Sequence, residues 1–294
     1  MALNRTAVLL MAHGTPSSMD EMPEYLRLVR GGRPPSPELV AEMRHNYEAI
    51  GGRSPLTDLT MRQAEALRER LGPDVAVAVG MRNWKPFIAD AIEELRGRGI
   101  VRLIGIPLAP QVSTLSIGKY YTAASAALGD GMELVRVASY YTHPLLLRAF
   151  AERVQAVRPA PGDEVVFTAH SLPQRVIDEG DGYADEVSAT ARGVAAAAGI
   201  EKFQIAYQSA GRTPEPWIGP DVGDLIRERA TAGVRSFVVV PIGFVCDHTE
   251  ILFDIDVQAR RAADAAGASL RRTESLNTSP TFMAMLEDLV RTHL

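Results

Sequence analysis

The chain has 294 residues, 46% of them hydrophobic and 23% charged, with a formal net charge of −5. That length points to two domains, and the acidic balance speaks against a protein built to coat nucleic acid. The single cysteine, Cys246, excludes an internal disulfide and any all-cysteine zinc or iron–sulfur site within one chain.

The opening residues, Met1-Ala2-Leu3-Asn4-Arg5, show no signal-peptide pattern. The first buried strand follows at Ala7–Ala12 and ends at His13-Gly14-Thr15-Pro16. Helical periodicity covers Asp20–Val29, Pro37–Glu48 and Asp58–Leu71. Two loops separate these helices, Arg30-Gly31-Gly32-Arg33-Pro34-Pro35 and Ile50-Gly51-Gly52-Arg53-Ser54-Pro55. Strands at Asp74–Met81, Val101–Ile106 and Met132–Val137 then alternate with helices at Pro86–Arg98 and near Lys119–Leu128. Pro86 is expected in the first helical turn. A long helix spans Pro144–Arg158, and Pro159–Asp163 is the most turn-rich stretch in mid-chain.

The alternation then restarts. Strands are expected at Glu164–Ala169, Phe203–Tyr207, Ser236–Val240 and Ser269–Arg272. Helices fall near Tyr183–Ala198 and at Val222–Ala232, His248–Ala265 and Thr281–Leu294. The longest apolar run, Phe237 to Cys246, contains Pro241 and Gly243 and is too short to cross a bilayer. Alternating strands and helices predict an α/β fold with parallel sheets covered on both faces. The halves also echo each other: Met-Ala-His-Gly-Thr-Pro (11–16) matches Thr-Ala-His-Ser-Leu-Pro (168–173), each at the end of its half's first strand. The expectation is therefore two similar Rossmann-like domains facing each other across a cleft. Residues 1–145 form the first and 146–278 the second, and a helix at 279–294 packs back on the first.

His170 closes the strand Glu164–Ala169, and Ser171 and Pro173 break the chain just after it. A strand's carboxyl end is where open α/β sheets bind ligands, and imidazole suits both proton transfer and metal ligation. A satisfied core histidine is the competing reading of the same pattern. Glu250, Asp254 and Gln258 recur every four residues on the predicted helix, with Asp247 near its N-cap. They form a carboxylate track beside the strand end or, equally on spacing, a solvated helix face. Such a set falls short of the three or four ligands of a held zinc. Arg30, Arg33 and Arg53, with Tyr47 and Ser54, offer donors to ligand carboxylates, although glycine–arginine loops are also ordinary surface features.

Five ordered segments carry a resemblance. They are Met-Ala-His-Gly-Thr-Pro (11–16), Tyr-Glu-Ala-Ile-Gly-Gly-Arg-Ser-Pro-Leu (47–56) and Thr-Ala-His-Ser-Leu-Pro (168–173), followed by Tyr-Gln-Ser-Ala-Gly-Arg-Thr-Pro-Glu-Pro-Trp-Ile-Gly-Pro-Asp-Val (207–222) and Pro-Ile-Gly-Phe-Val-Cys-Asp-His-Thr-Glu-Ile-Leu-Phe-Asp-Ile-Asp (241–256). Through them the chain, from about Val8 to Leu289, resembles the ferrochelatase family. Segment 30–39 together with 47–56 looks most like the bacterial branch that uses coproporphyrin III.

The resemblance implies a metallochelatase, a lyase that inserts Fe²⁺ into coproporphyrin III to give coproheme, releasing two pyrrole protons in haem biosynthesis. It implies that His170 and Glu250 are catalytic and meet the metal, with Asp254 and Gln258 as an outer track in which Gln258 replaces what is often an acid. His13, Arg30, Tyr47, Ser54 and Tyr120 match positions around the porphyrin; for Tyr120, packing in the core is the competing reading. Position 13 is often aromatic or apolar in the family, so an imidazole there is a departure that could ligate iron from the face opposite His170 or simply hydrogen-bond in the cleft. Fe²⁺ is expected as substrate and no cofactor as tightly bound; the lone cysteine excludes the four-cysteine [2Fe–2S] cluster of some members. The expected partners are porphyrin and Fe²⁺, with no nucleic acid, no transmembrane segment, a monomeric state in the cytoplasm and at most transient contact with neighbouring haem-pathway enzymes. Protoporphyrin IX is the alternative substrate. A non-catalytic porphyrin or haem carrier and a sirohydrochlorin cobaltochelatase are the alternative activities.

Overall fold

The computed structural model describes residues 5–211 and 213–294. The first four residues, part of the stretch without a signal pattern, and Arg212 of the 207–222 motif lie outside the described residues.

The chain runs β1 (Thr6–Ala12), α1 (Met22–Val29), α2 (Pro37–Ala49), α3 (Leu56–Leu71), β2 (Ala76–Met81), α4 (Ile88–Gly97), β3 (Arg102–Pro107), α5 (Ile117–Ala127) and β4 (Glu133–Arg136). It continues through α6 (Pro144–Val157), β5 (Glu164–His170), α7 (Gln174–Asp178), α8 (Tyr183–Ala198), β6 (Phe203–Gln208), α9 (Val222–Thr231) and β7 (Ser236–Pro241). Last come α10 (Thr249–Leu252), a π-helical turn (Asp254–Ala259), α11 (Arg260–Ala265), β8 (Ser269–Arg272) and α12 (Pro280–His293).

The strands form two four-stranded sheets of the same order, β2-β1-β3-β4 and β6-β5-β7-β8. Every pairing is parallel. The expected pair of Rossmann-like α/β sheets is thus found. Helices cover both faces, which is why β1 and β5 read as nearly unbroken apolar runs: Ala7, Val8, Leu9 and Leu10 are all 0% exposed. In each sheet the chain leaves the first strand to one side and returns on the other. The crevices at this reversal lie outside the carboxyl ends of β1 and β3 in one sheet and of β5 and β7 in the other.

Two compact units contain these sheets. The first runs to Ala109 and takes in Thr114–Ser139 and Asn277–Leu294; the second comprises Pro110–Ser113 and Tyr140–Leu276. The turn-rich stretch 159–163 joins α6 to β5 inside the second unit. There the Ala160 amide donates to the Asp163 carboxylate (2.6 Å) and the Asp163 amide to the Ala160 carbonyl (3.0 Å).

Two local expectations are corrected. Pro86 lies outside α4, with Phe87 as the cap residue, and its carbonyl accepts from the Met81 amide at 2.7 Å. The predicted single helix 248–265 is broken by the π turn, where the Gln258 amide donates to the Phe253 carbonyl five residues back (2.9 Å). Asp247 stands next to His248, the cap residue of α10, and its carboxylate accepts from Ser275 (2.8 Å) and Arg272 (3.1 Å) of the chain around β8. Among the described residues no helix is long and apolar enough to cross a membrane.

Candidate active site

His170 is the last residue of β5 and pairs in register with Gln208 at the end of β6. Its side chain is about one-third exposed, at 32%. The Nδ1 atom is hydrogen-bonded to the Ser171 carbonyl. Since a carbonyl only accepts, that bond assigns the proton to Nδ1 in the neutral ring, leaving Nε2 as the lone-pair nitrogen. Nε2 faces Glu250, 3.7 Å from Oε2. His248 repeats the arrangement: its Nδ1 donates to the Cys246 carbonyl (3.1 Å) and its Nε2 lies 3.6 Å from the same Glu250 oxygen. Two imidazole nitrogens thus converge on one carboxylate oxygen, with the Phe244 ring 4.6 Å from His248 and 6.5 Å from His170 between centroids.

The backbone around this group is tied together by buried polar side chains. Gln208, 1% exposed, accepts from the Thr168 hydroxyl (3.0 Å) and donates to the Glu250 carbonyl (2.5 Å). It therefore links β5, β6 and the start of α10. The Tyr183 hydroxyl, whose pKa burial pushes up, donates to the His170 carbonyl at 3.0 Å. Gly243 lets the turn after β7 lie against β5: its amide donates to the Thr168 carbonyl (3.1 Å), and an added Cβ would sit 2.8 Å from both Cα and Cβ of Ala169.

Asp254 stands one turn beyond Glu250, held by the Ser209 hydroxyl. Burial pushes its carboxyl pKa up to about 7, with the Glu250 charge adding to the rise while Ser209, His170 and His248 oppose it. Asp254 is therefore a proton-holding group near neutrality. Gln258 is exposed on the far side of the π turn; π turns are frequent at functional sites. Among the described residues no group of three or more His, Cys, Asp or Glu is arranged to hold a metal ion.

In the first unit, His13 follows β1. The Asn83 side-chain nitrogen lies 3.3 Å from its Nδ1 and 3.1 Å from its Nε2, and the Asn83 amide donates to the His13 carbonyl (2.9 Å). The imidazole meets Tyr25 edge-on at 6.3 Å, and Tyr25 in turn meets Trp84 at 6.1 Å. Gly14 sits at φ +86, which side-chain-bearing residues rarely adopt, and an added Cβ there would also lie 2.8 Å from the Trp84 amide nitrogen.

Arg30 caps α1 and lines a pocket of about 600 Å³ together with Gly31, Arg33, Arg82, Asn83 and Lys119. The Arg82 guanidinium sits 5.7 Å over the Tyr120 ring, and its Nε and Nη1 are buried without a hydrogen-bond partner among the described residues. Burial, and secondarily Arg82, holds the Lys119 ammonium below the usual lysine range.

Tyr47 and Ser54 sit elsewhere in this unit. Tyr47 is 2% exposed and packs with Met22, Tyr25, Leu26 and Trp84 beneath α1. Ser54 is 7% exposed and its hydroxyl accepts from the Leu56 amide (3.4 Å) at the start of α3. Tyr120, 8% exposed, forms the platform for Arg82.

Sequence reasoning passed over His248, Gln208, Ser209, Tyr183, Arg82 and Lys119. His248 had a local signal, being two residues from Glu250 in a turn-rich segment. Arg82 follows the second strand as His13 follows the first, which is the position where neighbouring strand ends meet.

Two parallel sheets of identical strand order, each gathering polar side chains at the carboxyl ends of its central strands, define a chelatase-type α/β protein. The fold is shared with the solved sirohydrochlorin chelatase SirB from Bacillus subtilis subspecies spizizenii in complex with cobalt. That similarity has a TM-score of 0.60 at 11% identity, covering 97% of this chain and 94% of that one. The Ferrochelatase family model matches residues 5–294. The ferrochelatase of Deinococcus radiodurans is 43% identical, over 96% of this chain and 94% of that protein. The coproporphyrin III ferrochelatase of Anoxybacillus flavithermus is 39% identical, over 98% and 96%. The chain belongs to the ferrochelatase family.

Proposed function

We propose that this protein is a metallochelatase that inserts Fe²⁺ into coproporphyrin III, releasing two pyrrole protons. The observation that supports the reaction is the convergence of His170 Nε2 and His248 Nε2 on one oxygen of Glu250, at 3.7 and 3.6 Å. Metallation requires the pyrrole nitrogens to lose their protons before they can ligate. In this reading His170 Nε2 accepts a pyrrole proton, and Glu250 offsets the positive charge that results. Asp254, with its pKa near 7, is suited to take a proton onward and to give it up again.

The preference for coproporphyrin III is supported by cation density. This porphyrin carries four propionates and protoporphyrin IX two, and Arg30, Arg33, Arg82 and Lys119 line one pocket. Relatives named coproporphyrin III ferrochelatase point the same way, while others carry the name ferrochelatase alone. His13, Tyr47, Ser54 and Tyr120 are proposed as further porphyrin-side residues, with Tyr47 and Ser54 acting through the shape of the α2–α3 loop.

The test is anaerobic. Purified protein receives Fe²⁺ with coproporphyrin III or with protoporphyrin IX, and porphyrin absorbance is followed in time. Faster metallation of coproporphyrin III is expected. Faster metallation of protoporphyrin IX would reverse the substrate assignment, and binding without metallation of either would make the protein a carrier.

A further inference from the structure

Beyond Gln208 and Ser209, the 207–222 motif runs back along the residues that follow His170. The Ile218 amide donates to the Leu172 carbonyl (2.9 Å), the Gln174 amide donates to the Pro216 carbonyl (2.8 Å), and Pro173 and Trp217 form an antiparallel bridge. Ser171 is fastened into this strap at two further points. Its amide donates to the Gln208 carbonyl (2.7 Å) and its hydroxyl to the Ile218 carbonyl (2.6 Å). The side chain is 2% exposed, so the hydroxyl meets backbone rather than solvent. A buried carbonyl left without such a donor carries a desolvation cost, which ties Ile218 and Ser171 to each other.

Two acceptors compete for the one proton of the neutral His170 ring. The Ser171 carbonyl bonds Nδ1, and Glu250 Oε2 faces Nε2 at 3.7 Å. A carboxylate is the stronger acceptor. A Ser171 carbonyl free to turn away would therefore cede the proton to Nε2 and occupy the nitrogen with chemistry left to do. A carbonyl held in place reverses the outcome, because the Nε2–H form would set the Nδ1 lone pair against the lone pairs of that carbonyl.

We propose that Ser171 is a positioning residue: its hydroxyl, anchored on Ile218, holds its own carbonyl against His170 Nδ1 and so keeps Nε2 free of a proton. The use made of a free Nε2 rests on the ferrochelatase reading above, whereas the tautomer does not. In that reading the pyrrole N–H bond breaks and its electron pair stays on the pyrrole nitrogen. The proton joins the Nε2 lone pair, and Nδ1 keeps its own proton on the Ser171 carbonyl.

The test uses the full chain without metal, labelled with nitrogen-15 histidine, at about pH 8, where an ordinary imidazole is neutral. Long-range proton–nitrogen spectra report which ring nitrogen is protonated, and the His170 signals are those lost in His170→Ala. The wild type is expected to show Nδ1–H. Ser171→Ala should show both tautomers, and Ser171→Cys, whose thiol is a weak donor, should lie between them. In the metallation assay Ser171→Ala is expected to lower kcat roughly 3- to 10-fold, the weight of one hydrogen bond, with KM for porphyrin and for Fe²⁺ unchanged within about twofold. In a His170→Ala background the same change should cost nothing further in kcat, since Ser171 acts only through that ring.

A wild type with its proton on Nε2 would overturn the proposal, and so would a Ser171→Ala ring that stays wholly Nδ1–H. An equal loss of kcat with and without His170 would reduce Ser171 to packing and overturn it as well. If Ser171→Ala does not fold, Ser171→Cys decides the matter: a wild-type tautomer with wild-type kcat in that variant sinks the idea. A wild type with Nδ1–H that binds coproporphyrin III but never metallates it would refute the ferrochelatase reading and leave the tautomer arms intact.

Discussion

At His170 the Nδ1 bond to the Ser171 carbonyl fixes both the ring orientation and the tautomer, so that Nε2 is the atom with chemistry left to do. Removing it should therefore cost rate more than affinity. His170→Ala is expected to lower kcat for metallation by about 10²–10⁴-fold, the usual weight of a positioned base, with porphyrin affinity changed little; stopped-flow absorbance and fluorescence titration separate the two. A loss confined to affinity would remove His170 from the chemistry. Asp254 gives a pH prediction. Its folded pKa of about 7 lies above the ordinary carboxyl value of 3.8, so the stability it contributes is present at low pH and is lost as pH rises toward and through 7. Asn at this position carries no charge to desolvate. Asp254→Asn should gain stability relative to the wild type between pH 5 and pH 8.5, read from urea midpoints at both values; a difference independent of pH would contradict a buried, protonated Asp254. His13 is tested spectroscopically: if its imidazole reaches the iron of the product, His13→Phe changes the visible spectrum of the bound iron porphyrin, and an unchanged spectrum rules that ligand out.

At the scale of elements, the turn after β7 is what carries Glu250 toward His170. Gly243→Ala would place a methyl 2.8 Å from the Ala169 backbone, and neither strand end can yield without moving the site. A loss of about 1–3 kcal/mol in stability is expected from such overpacking, accompanied by slower metallation; an Ala variant with wild-type stability and rate would show that the turn has room. Much of this architecture was legible in the amino-acid order. The strands stood out because parallel strands covered on both faces are continuous apolar runs, and His170 stood out because the run stops there. The π turn was not legible: Glu250, Asp254 and Gln258 have the spacing of an α-helix, and only tertiary anchors such as Ser209 on Asp254 and Arg272 on Asp256 pin the wider turn. Arg82 was hidden for a similar reason. Its interest lies in burial without an acceptor, which no local pattern encodes.

For the whole molecule, the C-terminal helix belongs with elements 191 to 217 residues earlier. In α12, Phe282, Met285 and Leu286 are fully buried, Arg70 pairs with Glu287 at 3.0 Å, and Arg102 reaches the His293 carbonyl at 2.7 Å. Each fully buried side chain of this size is worth about 1.5–3 kcal/mol, and a domain has only about 5–15 kcal/mol in total. The chain has two tryptophans, Trp84 in the first unit and Trp217 in the second. Deleting residues 280–294 in a Trp217→Phe background should therefore red-shift Trp84 emission to that of an exposed indole. Unshifted emission would show that the first unit folds without its last helix.

The shared strand order has a consequence for how charge is divided between the halves. His13 and His170 occupy the same station, just past or at the end of the first strand of each sheet, yet one imidazole is steadied by the neutral amide of Asn83 and the other faces the carboxylate of Glu250. A proton or a divalent cation arriving at the second station meets a countercharge already in place. At the first, the Asn83 side chain presents a neutral dipole. A twofold scaffold can thus carry the same ring twice in two different settings, and the difference between the two stations rests on the residue opposite each ring rather than on the ring itself.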